Sequence, residues 1–266
     1  MIGFNRLGLL GRLGNQMFQY ASLRGIAANN GYNWMIPPPP EGNGHFKEWE
    51  HHQLFYPFEL KNLHNLNVQY TDGERPTVKE KSFAFDEELF NNCPKWVNIE
   101  GFLQSEKYFK NIEKEIKEDF AFKEEFSKPS RDMIATVEKP VALHIRRTDY
   151  LKLNHHNSLG LDYYEEALSK FEDDRTIIIF SDDPEWCKEQ KLFDGDRFLV
   201  AEGNVNYVDL CLMTLCSGHI IANSSFSWWG AWLSNSEKVI APKNWFSGHL
   251  EDQDTKDLYC PEWEVL

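Results

Sequence analysis

An α/β protein made of two Rossmann-like halves that face each other across a cleft is the fold class this sequence predicts. Three observations carry it. The chain opens with a strand, a glycine turn and a helix; from about residue 140 strands and helices alternate cleanly; and a charged, proline-bounded stretch separates the two regions. At 266 residues there is room for two ordinary domains. The expected division is 1–125 for the N-terminal domain and 126–266 for the C-terminal one.

Ile2 to Leu10 reads as the first strand, and Gly11-Arg12-Leu13-Gly14-Asn15 as the turn behind it. A helix follows from Gln16 to Asn30. Met17, Tyr20, Leu23 or Arg24, and Ala27 share one face, and Gly31 closes it. Trp34 to Ile36 is a second strand, ended by Pro37 to Pro40. From Glu41 to about Phe90 the sequence is polar, aromatic and histidine-rich and fits no regular element, the mark of a functional loop region or a poorly ordered one. Val97 to Phe102 restores a strand, and Ser105 to Phe122 a helix with Phe109, Ile112, Ile116 and Phe120 in phase.

Lys123 to Lys139 is charged, with Pro129 and Pro140 near its ends, and is the expected domain boundary. Beyond it strand Val141–Ile145 precedes helix Asp162–Phe171, and strand Thr176–Phe180 precedes a helix beginning at Pro184. Strand Arg197–Ala201 precedes helix Tyr207–Cys216, strand His219–Ala222 precedes helix Phe226–Leu233, and Val239–Ala241 closes the series. Such alternation predicts a parallel sheet covered on both faces.

Composition narrows the function. With 41% hydrophobic and 14% aromatic residues the chain can bury a sizeable core. A formal charge of −14 argues against a nucleic-acid partner, since no net positive field draws in a phosphate backbone. Five scattered cysteines without a CxxC pair argue against a zinc site or a disulfide framework and favour a reducing compartment. The N-terminus is interrupted too early to be a signal peptide, and no segment approaches a membrane-spanning length, so the expectation is a soluble cytoplasmic protein.

The residues that can carry chemistry cluster at predicted strand ends. The strand Pro140 to Ile145 delivers Arg146, Arg147 and Asp149 at its C-terminal end, where open α/β sheets bind ligands. An arginine fork matches phosphate oxygens, and a nearby carboxylate accepts from a ribose or a base. An ion pair between Arg146 or Arg147 and Asp149 explains the same residues equally well. Adjacent strand residues point to opposite faces, so both arginines reach one ligand only if the strand ends between them. At the first turn, Gly11 and Gly14 let the backbone approach a ligand, Arg12 adds charge, and Asn15 either caps the helix or bonds a sugar or phosphate. After the strand Thr176–Phe180, Asp182 is the candidate for touching a ligand, whereas Asp183 before Pro184 suits a helix cap. Asn223, Ser224 and Ser225 open another helix, where hydroxyls and backbone N–H groups bind phosphate or merely cap; Trp228 and Trp229 read as core.

Taken together, Gly11-Arg12-Leu13-Gly14-Asn15-Gln16-Met17-Phe18-Gln19-Tyr20-Ala21, His144-Ile145-Arg146-Arg147-Thr148-Asp149-Tyr150, Phe180-Ser181-Asp182-Asp183 and Asn223-Ser224-Ser225-Phe226-Ser227-Trp228-Trp229-Gly230-Ala231-Trp232 resemble the α-1,2-fucosyltransferases in order and position. The resemblance spans residue 11 to about 245 and is weakest across Glu41 to Phe90. It implies a GT-B-like fold with GDP-β-L-fucose as donor, and an inverting, metal-independent transfer of L-fucose to the 2-hydroxyl of a galactose in a glycan acceptor. No cofactor is expected. The N-terminal domain would take the acceptor side and the C-terminal domain the donor. The resemblance gives Arg146 the β-phosphate, Asp149 the guanosine part, and Ser224, Ser225 and Phe226 the rest of the diphosphate and nucleoside pocket. Asn15 would approach the fucose and phosphate and join Arg146 as a catalytic residue. The full donor-binding set is Arg12, Gly14, Asn15, His144, Arg146, Arg147, Asp149, Asp182, Asn223, Ser224, Ser225 and Phe226. Within it His144 is expected to be buried packing and Arg147, on the opposite face if the strand persists, to be structural.

Asp194-Gly195-Asp196 and Asp252-Gln253-Asp254 spell the DxD of metal-dependent glycosyltransferases, but both fall in polar, loop-like sequence of a chain with 42 acidic residues and read as chance. No base is identified. His45, His51, His52, Glu48 and Glu50 are available, with surface positions favoured, and Trp34 and Trp49 read as core before sugar platforms. The sequence after Val239 leaves little room for the long C-terminal helix of many GT-B enzymes. Alternatives are a related transferase with another acceptor or linkage, such as a protein O-fucosyltransferase, and a catalytically silent nucleotide-sugar binding module. A lipid-linked acceptor would put the protein at the periphery of the inner membrane.

Overall fold

Leu13–Asn30 forms the longest helix, α1, in a computed structural model that describes residues 1–39, 52–71 and 75–266. Two compact units emerge, Met1–Lys123 with Asp254–Cys260 and Glu124–Gln253 with Pro261–Leu266.

In the first unit the opening strand is far shorter than the expected 2–10. β1 is Ile2–Gly3, and the chain then turns, with Gly8 and Gly11 at φ 90° and 80°. Backbone of that hand suits glycine and cannot continue a strand. α1 ends as its sequence predicts: Gly31, at φ 65°, donates its N–H to Ala27 and Ala28 carbonyls. Its burial is not confined to one face, because Gln16, Gln19, Ser22 and Arg24 are buried beside the apolar residues. Several of their polar atoms bond internally, although Gln19 Oε1 and Arg24 Nε are buried without a hydrogen-bond partner. Gln19 donates to Leu10 and Gly101 carbonyls at 2.9 and 3.2 Å, Ser22 to Leu103 at 3.1 Å, and Arg24 pairs with the buried Asp119. Asp119 also accepts from the Tyr20 hydroxyl at 2.9 Å and the Asn62 N–H at 2.7 Å.

β2 (Trp34–Met35), β3 (Thr77–Lys79) and β4 (Asn98–Glu100) complete a parallel sheet in the order β2-β1-β4-β3. β3 and α2 (Glu87–Asn92, capped by Asp86) lie in the stretch where the sequence suggested no element. The single helix expected over 105–122 is broken instead. Two 3-10 turns, Glu106–Tyr108 and Lys110–Ile112, precede α3 (Glu113–Asp119). Phe109, buried next to the buried Tyr108, leaves helical geometry at φ −136° and interrupts the helix.

The second unit starts with α4 (Glu124–Ile134), a helix with Pro129 inside it, over the charged stretch expected to be a boundary. Next come β5 (Val141–Ile145), α5 (Leu161–Leu168), β6 (Ile177–Ser181), α6 (Pro184–Lys188) and β7 (Phe198–Val200). α7 (Asn206–Thr214), β8 (Gly218–Ile220), α8 (Ser225–Leu233), β9 (Lys238–Ala241) and β10 (Glu264–Val265) follow. All six strands are parallel, ordered β10-β9-β8-β5-β6-β7. Numbered within the unit that is 6-5-4-1-2-3, the dinucleotide-fold order, which reverses between β5 and β8.

Both faces of this sheet are covered, as the continuous apolar strands predict. Val141, Leu143 and Ile145 join one core cluster with Leu168 and Phe171, while Ala142 joins Phe180 and Met213 on the other side. Trp228 and Trp229 are fully buried. A Cβ on Gly230 would come 2.9 Å from Met213, so the small residue brings α8 against α7. None of the five cysteines forms a disulfide, and all five are buried. After β9 the chain forms a 3-10 turn at Gly248–Leu250 and then β10. Among the described residues no helix is long and apolar enough to cross a membrane.

Candidate active site

β5 ends at Ile145, so both following arginines leave from a loop at the C-terminal edge of the sheet, beside its switch point. They diverge at once. Arg146 donates to Asp149 at 2.7 Å and lies 3.3 Å from Asp182, with its guanidinium over the Tyr150 ring. Burial alone disfavours its charge, but Asp149 and Asp182 outweigh that and raise its pKa. The alternative ion pair is therefore present, and it holds a mostly buried cation at the sheet edge. Arg147 turns to Asp183 at 3.3 Å and to Trp186, whose ring its guanidinium covers at 3.9 Å.

Asp182 is the hub of this edge. One oxygen accepts the Arg147 backbone N–H at 2.9 Å and the other the Thr148 hydroxyl at 2.5 Å. Asp183 caps α6 by accepting from the Trp186 N–H, with Pro184 in the first turn, as the sequence suggests. His144 is buried, and desolvation, aided by Arg146, pushes its pKa down to about 3. Its Nδ1 is 2.8 Å from Ser227 Oγ and its ring packs against Phe226. It packs and positions the start of α8.

That helix start carries Ser224 as N-cap, its hydroxyl accepting the Phe226 N–H at 3.4 Å, with Ser225 in the first turn. Asn223 is buried just before it and donates to Asn157 and Trp245 carbonyls at 3.2 and 3.1 Å. Arg146, Asp149, Asp182, His144 and Asn223 to Phe226 thus share one edge, where an α-helix N-terminus and a buried guanidinium together favour an anion.

The first-turn candidates belong to the other unit. Asn15 does not cap α1; the cap position is Arg12, which is exposed and makes no side-chain cap. Asn15 sits one turn in, where its Oδ1 accepts from Gln104 at 2.6 Å, and its side chain fills the space that a Cβ on Gly11 would need. Gly14 is buried within the first turn of α1.

Of the base candidates, His52 is not at the surface: it is buried with Nε2 2.6 Å from the Pro37 carbonyl. His45, Glu48, Trp49, Glu50 and His51 lie outside the described residues. Trp34 is half-buried, packed edge-on against Tyr20 and under Arg24. Asp194 and Asp196 are exposed, and so are Asp252 and Asp254. Sequence reasoning missed three positions at the edge: Thr148, Ser227 and Tyr150, whose hydroxyl donates to the Asn223 carbonyl at 3.0 Å. All three were inside recognisable motifs, but their partners are distant in sequence.

The family model for glycosyl transferase family 11 matches residues 1–266. The chain belongs to that family. It is 31% identical to an α-1,2-colitosyltransferase of Escherichia coli over 96% of this chain and 95% of that one. It is 39% identical to the O-antigen biosynthesis glycosyltransferase WbnK of Escherichia coli, over 44% of this chain and 43% of that one. Galactoside α-(1,2)-fucosyltransferase 2 of Bos taurus is 26% identical over 89% of this chain and 71% of its own length. Among solved structures, the fucosyltransferase NodZ from Bradyrhizobium shares the fold, with a TM-score of 0.55, 12% identity and coverage of 88% and 93%. This family 11 chain is thus a glycosyltransferase of GT-B-like architecture with fucosyltransferase relatives.

Proposed function

We propose that the protein transfers L-fucose from GDP-β-L-fucose to the 2-hydroxyl of a galactose in a glycan, with inversion and without a metal ion. The observation that carries this reading is Arg146, a mostly buried guanidinium held by Asp149 and Asp182 beside the N-terminus of α8. A departing GDP needs its growing negative charge met, and a preorganised arginine with helix-start N–H groups does this without reorganising. In this reading the second unit holds the donor, with Arg146 on the diphosphate, Asp149 on the nucleoside side, and Ser224, Ser225 and Phe226 around them. The first unit takes the acceptor side, and Asn15, braced by Gln104, approaches the transferred sugar. Arginine and backbone dipoles then replace the divalent ion other transferases use. A cytoplasmic site of action, peripheral to the inner membrane for a lipid-linked acceptor, completes the proposal.

The α-1,2-fucosyltransferase relative supports the linkage, and crystals of NodZ soaked with GDP-fucose support the donor class. A second reading comes from the α-1,2-colitosyltransferase relative: the same linkage with colitose, the 3-deoxy counterpart of L-fucose. Incubation with GDP-fucose and a panel of galactose-terminated glycans, with and without EDTA, tests donor, acceptor and metal together. An α-1,2-fucosylated product in EDTA is the expected result. Product only on adding divalent metal overturns the mechanism, a different linkage overturns the acceptor assignment, and donor binding without turnover leaves a silent binding module.

A further inference from the structure

Three polar side-chain atoms of the second unit are shielded from solvent yet have no hydrogen-bond partner: His156 Nδ1, Ser158 Oγ and Asn223 Oδ1. They are neighbours. Asn223 donates to the Asn157 carbonyl at 3.2 Å, between His156 and Ser158, and to the Trp245 carbonyl at 3.1 Å. Tyr150 ties the group together, its hydroxyl bonded to the Asn223 carbonyl and its ring stacked on His156 at 4.6 Å, 9° from parallel. Phe246 lies 5.5 Å from His156 on another side. Buried polar atoms in folded proteins are nearly always bonded, so three orphans in one place point to an absent partner.

We propose that His156, Ser158 and Asn223 form a subsite that binds the hydroxyl groups of a sugar ring. The inference rests on the transferase reading and adds residues to it. The chemistry of the three atoms selects the ligand. In a neutral imidazole Nδ1, the orphan, offers either a lone pair or an N–H to a hydroxyl, according to the tautomer. The Asn223 amide hydrogens are both committed to carbonyls, which leaves its oxygen as an acceptor. Ser158 can donate and accept. An amide oxygen, a hydroxyl and an imidazole nitrogen suit a partner rich in hydroxyl groups, and the Asn223 oxygen disfavours phosphate or carboxylate, which only accept. Burial, the main cause, lowers the His156 pKa to about 4, so the ring stays neutral at ordinary pH.

Aromatic rings flanking a few convergent polar atoms are the usual composition of a sugar-binding wall. The location also fits: Arg146 lies 5.7 Å from the Tyr150 ring whose stacking partner is His156, one aromatic ring away from where a sugar diphosphate would be held. A sugar there could be the one transferred or the acceptor galactose. The loop between β5 and α5 that carries His156 and Ser158 exposes Leu151, Lys152, Leu153, Asn154 and Asn157, so its displacement by a ligand uncovers little core.

Calorimetric titration of the full chain with GDP, GDP-β-L-fucose and lactose tests the subsite in three proteins: wild type, Ser158→Ala and His156→Phe. The phenyl ring keeps the stack on Tyr150 and removes the unpartnered nitrogen. Each substitution should leave GDP affinity unchanged and weaken one sugar ligand by about tenfold. Loss for GDP-fucose relative to GDP assigns the subsite to the transferred sugar; loss for lactose assigns it to the acceptor. Ser158→Ala should melt no lower than wild type, since its hydroxyl has no partner to lose. Wild-type affinities for both sugar ligands in both variants overturn the subsite, as does an equal loss of GDP affinity with a lowered melting temperature. Wild-type protein that binds neither GDP nor GDP-fucose instead overturns the transferase reading itself, and the subsite with it.

Discussion

Arg147 lays its guanidinium 3.9 Å over the Trp186 ring, while its neighbour Arg146 lies between two carboxylates on the sheet edge. Two identical side chains, one residue apart, therefore do different work. Arg146→Ala leaves Asp149 and Asp182 without their shared cation and should cost at least about 3 kcal/mol of transition-state stabilisation, roughly a hundredfold or more in turnover. Arg147→Ala removes a stacked cation and a bond to Asp183, for a stability loss of about 1–2 kcal/mol with turnover near wild type at 25 °C. Initial rates and thermal melts of the two variants give the check. An Arg146→Ala enzyme with wild-type turnover would remove the main support for the donor site.

Three histidines should make the protein acid-labile. Burial lowers the pKa of His144 to about 3 and those of His156 and His219 to about 4, from an ordinary 6.5. In the unfolded chain each takes up a proton near pH 6.5, while in the folded protein each stays neutral. Stability is therefore full above that pH and falls as pH drops through 6.5 towards 4. Melting temperatures at pH 7.5 and 5.5 should differ accordingly, and the imidazole resonances of these three residues should not move between pH 8 and 5. Any of the three titrating with a midpoint above 6 would contradict the burial argument.

What the sequence made legible depended on how local the cause was. The second unit alternates in a period each segment carries itself, so β5 to β9 fall within a few residues of their expected places, and Gly31 and Asp183 cap helices as read. The helix expected over 105–122 failed because what breaks it is not local: Tyr108 and Phe109 are both drawn inward, Tyr108 accepting the Asp86 N–H across 22 residues. β3 escaped notice because Thr77–Lys79 is polar and short, and forms only by pairing with β4. At the site the motif residues of the second unit do meet at one edge, but the division between Arg146 and Arg147 follows from Asp182, Asp183 and Trp186, about 35 residues on.

Glu80 provides a titration of opposite sign. Its carboxylate accepts the Phe102 and Leu103 N–H groups at 2.8 and 3.0 Å, next to the Gln104 that braces Asn15. Burial nevertheless dominates and raises its pKa from 4.5 to about 7, against those two bonds. Between these values the unfolded chain has lost the proton and the folded protein has kept it, so this group's contribution declines as pH rises from 4.5 to 7. The histidines mask it in wild type, so a difference measurement is required. Glu80→Gln imitates the protonated form, and its melting temperature relative to wild type should increase steadily from pH 5 to 7.5. A constant difference over that range would show that Glu80 is ionised throughout.

Two glycines of α1 should respond to alanine in different ways. A Cβ on Gly25 would fall 1.8 Å from the Tyr108 carbonyl oxygen and 2.7 Å from Phe109 Cα, both backbone atoms that cannot swing aside. Gly31 has nothing within 4 Å but sits at φ 65°. Gly25→Ala must therefore push α1 away from the turn at Glu106–Tyr108, costing about 3 kcal/mol or more, whereas Gly31→Ala bears only the left-handed backbone, about 1 kcal/mol. Gly25→Ala should melt many degrees below wild type or fail to accumulate, and Gly31→Ala only a few degrees below. Equal losses in the two variants would mean that α1 does not approach the Tyr108 backbone as closely as Gly25 permits.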